Sequence, residues 1–490
     1  MGLFVKKPIA SVPDEKGLKR VLGPVQLTAL GIGAVIGAGI FVATGEAAKN
    51  TAGPALMISY VIAGVVCLLA ALCYAEFAAM TPVAGSAYAY SYATLGELMA
   101  WIIGWDLILE YAVGAATVAN GWSGYVQSLL KSMNIDLPNI ISSSPIKYDK
   151  VNEVYVQTHS LVNLPAVLVV MILTAILVKG IKESATANAV MVAVKLGAVL
   201  FVILVGVFYF KLENWDPFAP YGWSGLNLFG HKFGDVSSSG KPVGVLAGAA
   251  IIFFAYIGFD AVSTQAEEAK NPQRDVPIGI IGSLVICTVL YIAVVAVLTG
   301  MVKYDQISED AGVAEAFKNV NMGWAKSVIA AAGVAGITSV LLVMMLGSAR
   351  IMMAMSRDGL LPSIFSHIHP TFQTPWKGTI LVGTFVALMA GLLPLDALLE
   401  MTNIGTLFAF TIVCGSVVVL RFTNPTAHRP FKVPFSPFIP VLGVLGCLML
   451  MFSLPSHNWY RLVIWMAIGL VIYFGYSQFH SVLRKKAAAA

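Results

Sequence analysis

Residues 31–41 read GIGAVIGAGIF and lie in the middle of the first long apolar stretch of the chain. Glycine weakens a helix interior and lets a ligand approach the backbone, so the four glycines favour an interrupted helix. A break would expose amide N–H groups at the positive dipole end of a second half-helix, where a carboxylate binds. The alternative is close packing of helices through small residues. A dinucleotide-binding loop is excluded because no strand precedes the run.

A second stretch, residues 253–260 (FFAYIGFD), corresponds to the first. Ile257-Gly258 aligns with Ile36-Gly37, and residues 267–271 repeat four of the five residues in 46–50. Five apolar segments separate the two starts, and an odd number of crossings inverts the second copy, which predicts a five-plus-five inverted repeat. Chance similarity is the alternative for so short a match. Two broken helices at corresponding positions indicate a transport site. Amides of the first helix would bind a carboxylate, and carbonyls of the second would bind an ammonium group.

The composition predicts an all-α membrane protein with twelve transmembrane helices. Of the 490 residues, 58% are hydrophobic and 11% are charged, and apolar runs of about 20 residues recur along the chain. These continuous runs exclude the alternating strands of a membrane β-barrel. The predicted spans are residues 25–49, 55–80, 97–129, 161–180, 184–210, 243–268, 277–302, 324–356, 377–393, 397–420, 436–454 and 458–482.

The domain organisation follows from these spans. We expect a cytoplasmic N-terminal segment (1–24), a first inverted repeat with helices 1–5 (25–210), an extracellular loop (211–242), a second inverted repeat with helices 6–10 (243–420), and helices 11–12 with a cytoplasmic C-terminus (421–490). With both termini inside, the cytoplasmic segments hold most of the 30 Lys and Arg, as the positive-inside rule requires. The net charge of +5 therefore reflects orientation in a cell membrane and not nucleic-acid binding.

One lysine lies where a charge is costly. Lys195 is roughly halfway across the fifth span, and a cation at that depth indicates an ion or proton pathway. The alternative is a lysine that donates to a nearby carbonyl or reaches the interface. Asp106 and Glu110 share one face of the third span. We expect Glu110 to pair with Lys195, directly or through water; a protonated buried acid is the alternative.

The eighth span supplies further candidates. Thr338 and Ser339 are adjacent hydroxyls that would ligate Na⁺, although such residues often bond to their own helical turn. Met344 would line the substrate pocket or serve only in packing. Phe254 in the sixth span would cover the ligand as a gate or face lipid. The sequence contains no catalytic set, P-loop or metal-ligand spacing, so we expect a protein that is not an enzyme and needs no metal or cofactor.

Four motifs together resemble the amino acid–polyamine–organocation superfamily, and within it bacterial homologues of the cationic amino acid transporter family. They are GAVIGAGIF (33–41), GSAYAYSY (85–92) continuing to GWDLILEY (104–111), FAYIGFD (254–260) with EEAKNP (267–272), and MTNIGTL (401–407). The resemblance implies a leucine-transporter-like fold with broken helices 1 and 6 and alternating access between them. It also implies that Lys195 stands where sodium-coupled relatives bind a cation, which suggests coupling to protons.

The resemblance also assigns the substrate-binding residues. Carried over by position, they are Ile36, Gly37, Ala38, Gly39 and Ile40 from helix 1, Phe254, Ala255 and Ile257 from helix 6, and Met344. Ala38 departs from the Thr or Ser of many relatives, which leaves the carboxylate to the backbone. Because Met344 offers no charge for a cationic side chain, we expect a proton-coupled symporter of small neutral L-amino acids such as alanine, with arginine and lysine as further candidates. A sodium-coupled symporter, an exchanger and a non-transporting sensor are the alternatives. Expected partners are the amino acid, protons and lipid, and we leave open a small single-span membrane subunit.

Overall fold

The fold is taken from a computed structural model that describes residues 5–6, 22–80, 86–149, 154–180, 185–228, 231–237, 241–309 and 311–489. Most of the predicted N-terminal segment 1–24 and Gly85 of the GSAYAYSY motif lie outside the described residues. So do the side chains of Glu267 and Glu268, which belong to the predicted repeat.

Helices dominate the described residues, as expected for an all-α membrane protein. We number the apolar helices by the predicted spans. Their bounds are α1 Pro24–Val35 with a second half from Gly39 to Ala52, α2 Leu56–Met80, α3 Glu97–Ser132, α4 Leu164–Lys179, α5 Ala185–Gly206, α6 Val245–Ile252 with 3-10 turns Phe253–Tyr256 and Phe259–Glu268, α7 Pro272–Met301, α8 Gly323–Arg357, α9 Trp376–Leu392, α10 Leu395–Thr423, α11 Phe438–Phe452 and α12 Ser456–Ile472.

The lengths of these helices bear on how many cross the membrane. Eight helical segments in the described ranges are long and apolar enough to do so, and four shorter apolar helices accompany them, namely Pro24–Val35, α4, α9 and α11. The protein is therefore a multi-pass membrane protein. That all twelve helices cross the bilayer, and that the halves form an inverted repeat, stay predictions.

The connections contain small elements that the sequence did not predict. A helix covers Ser86–Thr94, another covers Gly312–Asn319, and each of the two longest loops contains an antiparallel hairpin. The hairpins pair β1 Ile146–Asp149 with β2 Val154–Gln157, and β3 Leu226–Leu228 with β4 His231–Phe233.

Helix α3 forms the centre of the core. It is buried along most of its length, even at Asp106 and Glu110, and packs against α8 and α10. Helix α7 packs against both α1 and α2. The five cysteines are buried free thiols in the core. This arrangement places the interruptions of α1 and α6 inside the protein, away from lipid.

Candidate functional site

The first helix is interrupted, as its glycines predict. Helix α1 ends at Val35, Ile36 is extended (φ −73°, ψ 105°), and helical structure resumes at Gly39. A helix end leaves carbonyls without amide partners. The Ile36 N–H still donates to the Ile32 carbonyl at 2.9 Å, whereas the carbonyls of Gly33 and Val35 accept from side chains of other helices. The break thus creates acceptors in the middle of the membrane protein.

The second interruption lies beside the first. After the turn Phe253–Tyr256, Ile257 is extended (φ −60°, ψ 134°) and Gly258 has a φ of +114°. L-residues with a side chain rarely adopt that φ. A Cβ at position 258 would also lie 2.8 Å from the Ala34 carbonyl oxygen. Glycine is therefore required here both by the backbone conformation and by contact between the two breaks.

The residues expected to bind substrate surround this contact and are buried. A Cβ at position 39 would lie only 2.2 Å from Cα of Ala255, so the second half of α1 touches the turn of α6 through its backbone. The amides of Ala38, Gly39 and Ile40 precede the first full turn of that half and have no acceptor within it. The full set brought together is Ile36, Gly37, Ala38, Gly39, Ile40, Phe254, Ala255 and Ile257.

Helix α8 closes the region from another side. A Cβ at Gly37 would lie 2.5 Å from Cγ2 of Val340. Met344, one turn further along and 4% exposed, packs against α3, with its sulfur 3.3 Å from where a Cβ of Gly114 would lie. Val340 was not predicted, because a β-branched residue in an apolar helix looks like ordinary packing.

Lys195 is buried in the protein and joins three helices. Only 1% of the residue is exposed, and Nζ donates to the Gly33 carbonyl of α1 at 2.6 Å. Its aliphatic stem packs against α8, where a Cβ at Gly336 would lie 3.2 Å from Cγ of the lysine. This is the bond to a nearby carbonyl that was the alternative for Lys195, and the carbonyl is one that the break in α1 frees. A role of the lysine in proton coupling stays a prediction.

The expected direct pairing of Lys195 with Glu110 is wrong. Both Glu110 carboxylate oxygens are buried, and Nζ of Lys195 donates to the Gly33 carbonyl and not to either of them. Glu110 lies close enough to Asp106 and Asp260 for their charges to interact, and Tyr111 donates to Asp260 at 2.6 Å. The reason is geometric: this face of α3 is turned toward α10 and Asp260 of α6, while a carbonyl of α1 accepts from the lysine.

Thr338 and Ser339 follow the alternative arrangement. Thr338 donates to the Val334 carbonyl at 2.7 Å and accepts from the Trp122 indole at 2.9 Å. Ser339 donates to the Gly336 carbonyl at 3.1 Å. Both hydroxyl protons are thus used within α8, as is common for such residues in membrane helices.

Tyr291 of α7 is a site residue that the sequence analysis missed. Its hydroxyl lies 2.9 Å from the Val35 carbonyl oxygen and 3.0 Å from that of Ala255, so it links the two breaks. A tyrosine in a long apolar helix carries no distinctive signal. Two broken helices leave buried carbonyls without amide partners, and such carbonyls need a hydrogen-bond donor. A donor side chain near the breaks could therefore have been expected from the sequence.

The family comparisons agree with this geometry. The family described as amino acid permease matches residues 22–473. The chain is 44% identical over 486 residues to the methylthioribose transporter of Bacillus subtilis (strain 168), covering 99% of both chains. It is 47% identical over 478 residues to a branched-chain amino acid permease of that organism, covering 97% of each.

Transporters named for cationic amino acids are also similar, which confirms the resemblance drawn from the motifs. The vacuolar cationic amino acid transporter 4 of Arabidopsis thaliana is 39% identical over 411 residues, which are 83% of this chain and 64% of that protein. All these relatives are named as transporters or permeases and not as enzymes. Two broken helices meet inside this multi-pass membrane protein, as the resemblance to this family implies. From the family match and these relatives, the chain belongs to the amino acid permease family and is a membrane transporter.

Proposed function

We propose that this protein is a proton-coupled symporter that imports small neutral L-amino acids, such as alanine, by alternating access; arginine and lysine are the alternative substrates. The observation that carries the proposal is the hydrogen bond from buried Lys195 to the Gly33 carbonyl, beside the break in α1. A titratable ammonium that holds a substrate-binding helix connects proton binding to the shape of the site.

The substrate carboxylate would bind the amides of Ala38, Gly39 and Ile40. These groups stand at the start of a half-helix, where the dipole favours negative charge. The substrate ammonium would donate to carbonyls at the break in α6. Around these polar groups the walls are apolar: Phe254 and Ile257 are buried on one side and Met344 on the other. Such walls suit a small apolar side chain better than a charged one.

The coupling mechanism uses a difference in affinity between two conformations. Protonated Lys195 bonds to α1 while its stem packs on α8, so it keeps α1, α5 and α8 together. Loss of the proton removes the charge and weakens that bond, which favours separation and substrate release. The proton gradient then acts only through differential binding to the two states. We assign Glu110, which is buried close to Asp106 and Asp260, a role in carrying the proton, and not a direct bond to Lys195.

Sodium coupling is the nearest alternative. It would require Thr338 and Ser339 to ligate the ion, but their hydroxyl protons are directed at α8 carbonyls and no carboxylate accompanies them in the hydrogen bonds described. Exchange without net accumulation and sensing without transport are further alternatives. The 44% identity to a transporter named for methylthioribose favours a second substrate class, an uncharged thiosugar that has no carboxylate for the α1 amides.

The deciding experiment is radiolabelled uptake into proteoliposomes under separately imposed proton and sodium gradients. We expect L-alanine to accumulate under the proton gradient alone, and Lys195→Ala to lose accumulation while keeping substrate binding or slow exchange. Lys326→Ala is the matched control, because Lys326 is also buried (6% exposed) but pairs with Glu315 at 2.7 Å and not with a carbonyl of α1.

Three results would count against the proposal. Accumulation in Lys195→Ala equal to that of the parent would remove the lysine from the mechanism. Accumulation driven by sodium alone would favour the alternative ion. Uptake of methylthioribose without competition by L-alanine would reassign the substrate. We further propose that the protein lies in the cell membrane with both termini in the cytoplasm, which protease accessibility of sealed vesicles would test.

A further inference from the structure

Helix α7 carries a buried thiol on the face that packs against α1. Cys287 is 0% exposed and lies four residues from both Ser283 and Tyr291, so the three side chains share one side of the helix. A Cβ at Gly31 of α1 would lie 2.5 Å from Oγ of Ser283, and the Tyr291 hydroxyl lies 2.9 Å from the Val35 carbonyl oxygen. These contacts on either side of the thiol place it against the stretch of α1 between residues 31 and 35.

Lys195 reaches the same stretch from α5. Its Nζ donates at 2.6 Å to the carbonyl of Gly33, which is the middle residue of that stretch. The thiol of Cys287 lies close enough to the lysine for a charge on either group to influence the other. In the hydrogen bonds described, the ammonium uses one of its three N–H groups, on the carbonyl, and the thiol stands beside it as a further polar group.

The helices packed against α5 bring few other titratable groups to the lysine. These helices are α1, α7 and α8. The sequence has no titratable residue in 24–35 of α1 and none in 327–349 of α8. Within 276–301 of α7 it has Cys287 and Tyr291, and the hydroxyl of Tyr291 is directed at two backbone carbonyls. Cys287 is therefore the titratable side chain that these helices present to the lysine.

The chemistry of a thiol suits a cation that must gain and lose a proton. A buried ammonium is costly without acceptors, and sulfur is only a weak one. A carboxylate at position 287 would keep the proton on the lysine, whereas a methyl group would give the charge no support. We propose that Cys287 is a positioning residue for proton coupling, whose neutral thiol supports the Lys195 ammonium weakly enough that the lysine can also release its proton. This inference rests on the proposed proton coupling through Lys195.

The test is the pH dependence of L-alanine uptake into proteoliposomes by Cys287→Ala, Cys287→Ser and Cys287→Asp. Both alanine and serine are smaller than cysteine, so an effect of packing alone would move these two variants in the same direction from the parent. Cys447→Ala and Cys447→Ser are the matched controls, because Cys447 is also 0% exposed but lies beside Cys73 and not beside a lysine. Melting temperatures establish that each variant is folded, and the Ala and Ser variants suffice if Cys287→Asp does not fold.

Opposite shifts are expected for the two small variants. Uptake requires the protonated lysine and declines as the pH rises through the value at which Lys195 loses its proton. A hydroxyl is a better acceptor than a thiol, and a methyl group is none. We expect the pH of half-maximal uptake to fall by about one unit in Cys287→Ala and to rise by about one unit in Cys287→Ser, which is a tenfold change in proton binding each way. Cys287→Asp should keep exchange of L-alanine but lose accumulation, because the ion pair retains the proton.

A second measurement does not depend on transport. In protein labelled with carbon-13 lysine, the NMR resonance of the Lys195 ε-carbon is assigned by its absence from Lys195→Ala and followed against pH. Its titration midpoint should be highest in Cys287→Ser, intermediate in the parent and lowest in Cys287→Ala.

Four results would overturn the inference. They are a Lys195 resonance that does not titrate, equal midpoints in the Ala and Ser variants, a shift of both in one direction, and shifts of the same size in the Cys447 variants. If the midpoints follow the expected order but the parent does not accumulate L-alanine under a proton gradient, only the proposed transport function is contradicted.

Discussion

Two glycines at the break in α1 allow a sharp test of the contact between the two breaks. A methyl group added at one would meet a side chain, and a methyl group added at the other would meet backbone. A Cβ at Gly37 would lie 2.5 Å from a methyl of the Val340 side chain, and a Cβ at Gly39 would lie 2.2 Å from the backbone Cα of Ala255. Both distances are far below the 3.5–4.0 Å that is usual between carbon atoms. The first overlap is relieved by trimming a side chain, whereas the second requires two helices to move apart.

Overpacking of this kind costs about 1–3 kcal/mol. For Gly37→Ala we therefore expect L-alanine affinity to fall about 5- to 150-fold, and the double variant Gly37→Ala, Val340→Ala to recover most of it. For Gly39→Ala we expect a larger loss of L-alanine affinity, which Val340→Ala does not restore. The assay is equilibrium binding of L-alanine with proteoliposome uptake. Gly197→Ala is the matched control, since a Cβ there would meet nothing within 4 Å.

Two outcomes would refute the reasoning. If Gly39→Ala binds L-alanine as tightly as Gly197→Ala does, the breaks of α1 and α6 are not in contact in the binding state. If Val340→Ala leaves the Gly37→Ala defect unchanged, the side chain of Val340 is not what opposes residue 37.

The other predictions concern the size of the pocket, the residue that links the two breaks, and the dependence of stability on pH. Met344→Ser should enlarge the pocket and admit larger or cationic amino acids, which competition assays with an amino acid panel would measure; an unchanged substrate profile would place Met344 outside the pocket. Tyr291→Phe leaves the carbonyls of Val35 and Ala255 without their shared donor and should lower the free energy of unfolding by about 1–3 kcal/mol, measured by thermal denaturation, with loss of uptake. Burial raises the pKa of Glu315, but hydrogen bonds from Lys326 and Ser128 more than offset this and hold that pKa below its usual value. Its contribution of about 1 kcal/mol is therefore present above pH 5 and lost as the pH falls through the lowered pKa, so Glu315→Gln should destabilise the protein at pH 7, and the effect should shrink as the pH falls through that pKa; denaturation followed against pH measures it.

Both helix breaks followed from the sequence because glycine acts locally. Gly258 needs a backbone conformation that other residues rarely adopt, and the glycines near Gly37 remove the side chains that would keep two helices apart. Hydrophobic runs of membrane length likewise fix the class of fold without knowledge of contacts.

Contacts between helices were harder to predict. The spacing of Asp106 and Glu110 showed that they share a face of α3, but not which helix that face meets, so the direct pairing of Glu110 with Lys195 was wrong. Lys195 bonds to a backbone carbonyl. Because every residue has a backbone carbonyl, the sequence does not indicate which one the lysine will reach. Tyr291 and Val340 were missed for the same reason: their roles depend on which apolar helix lies opposite.

The hydroxyl of Tyr291 has one proton, yet two carbonyl oxygens lie within hydrogen-bond distance of it. It bonds fully to one at a time or shares its proton between them. In the proposed alternating access the two interrupted helices separate, and the hydroxyl can keep its bond to whichever carbonyl stays near α7. The phenol then never loses both acceptors at once. A bifurcated hydrogen bond of this kind would keep the barrier between the two proposed conformations low.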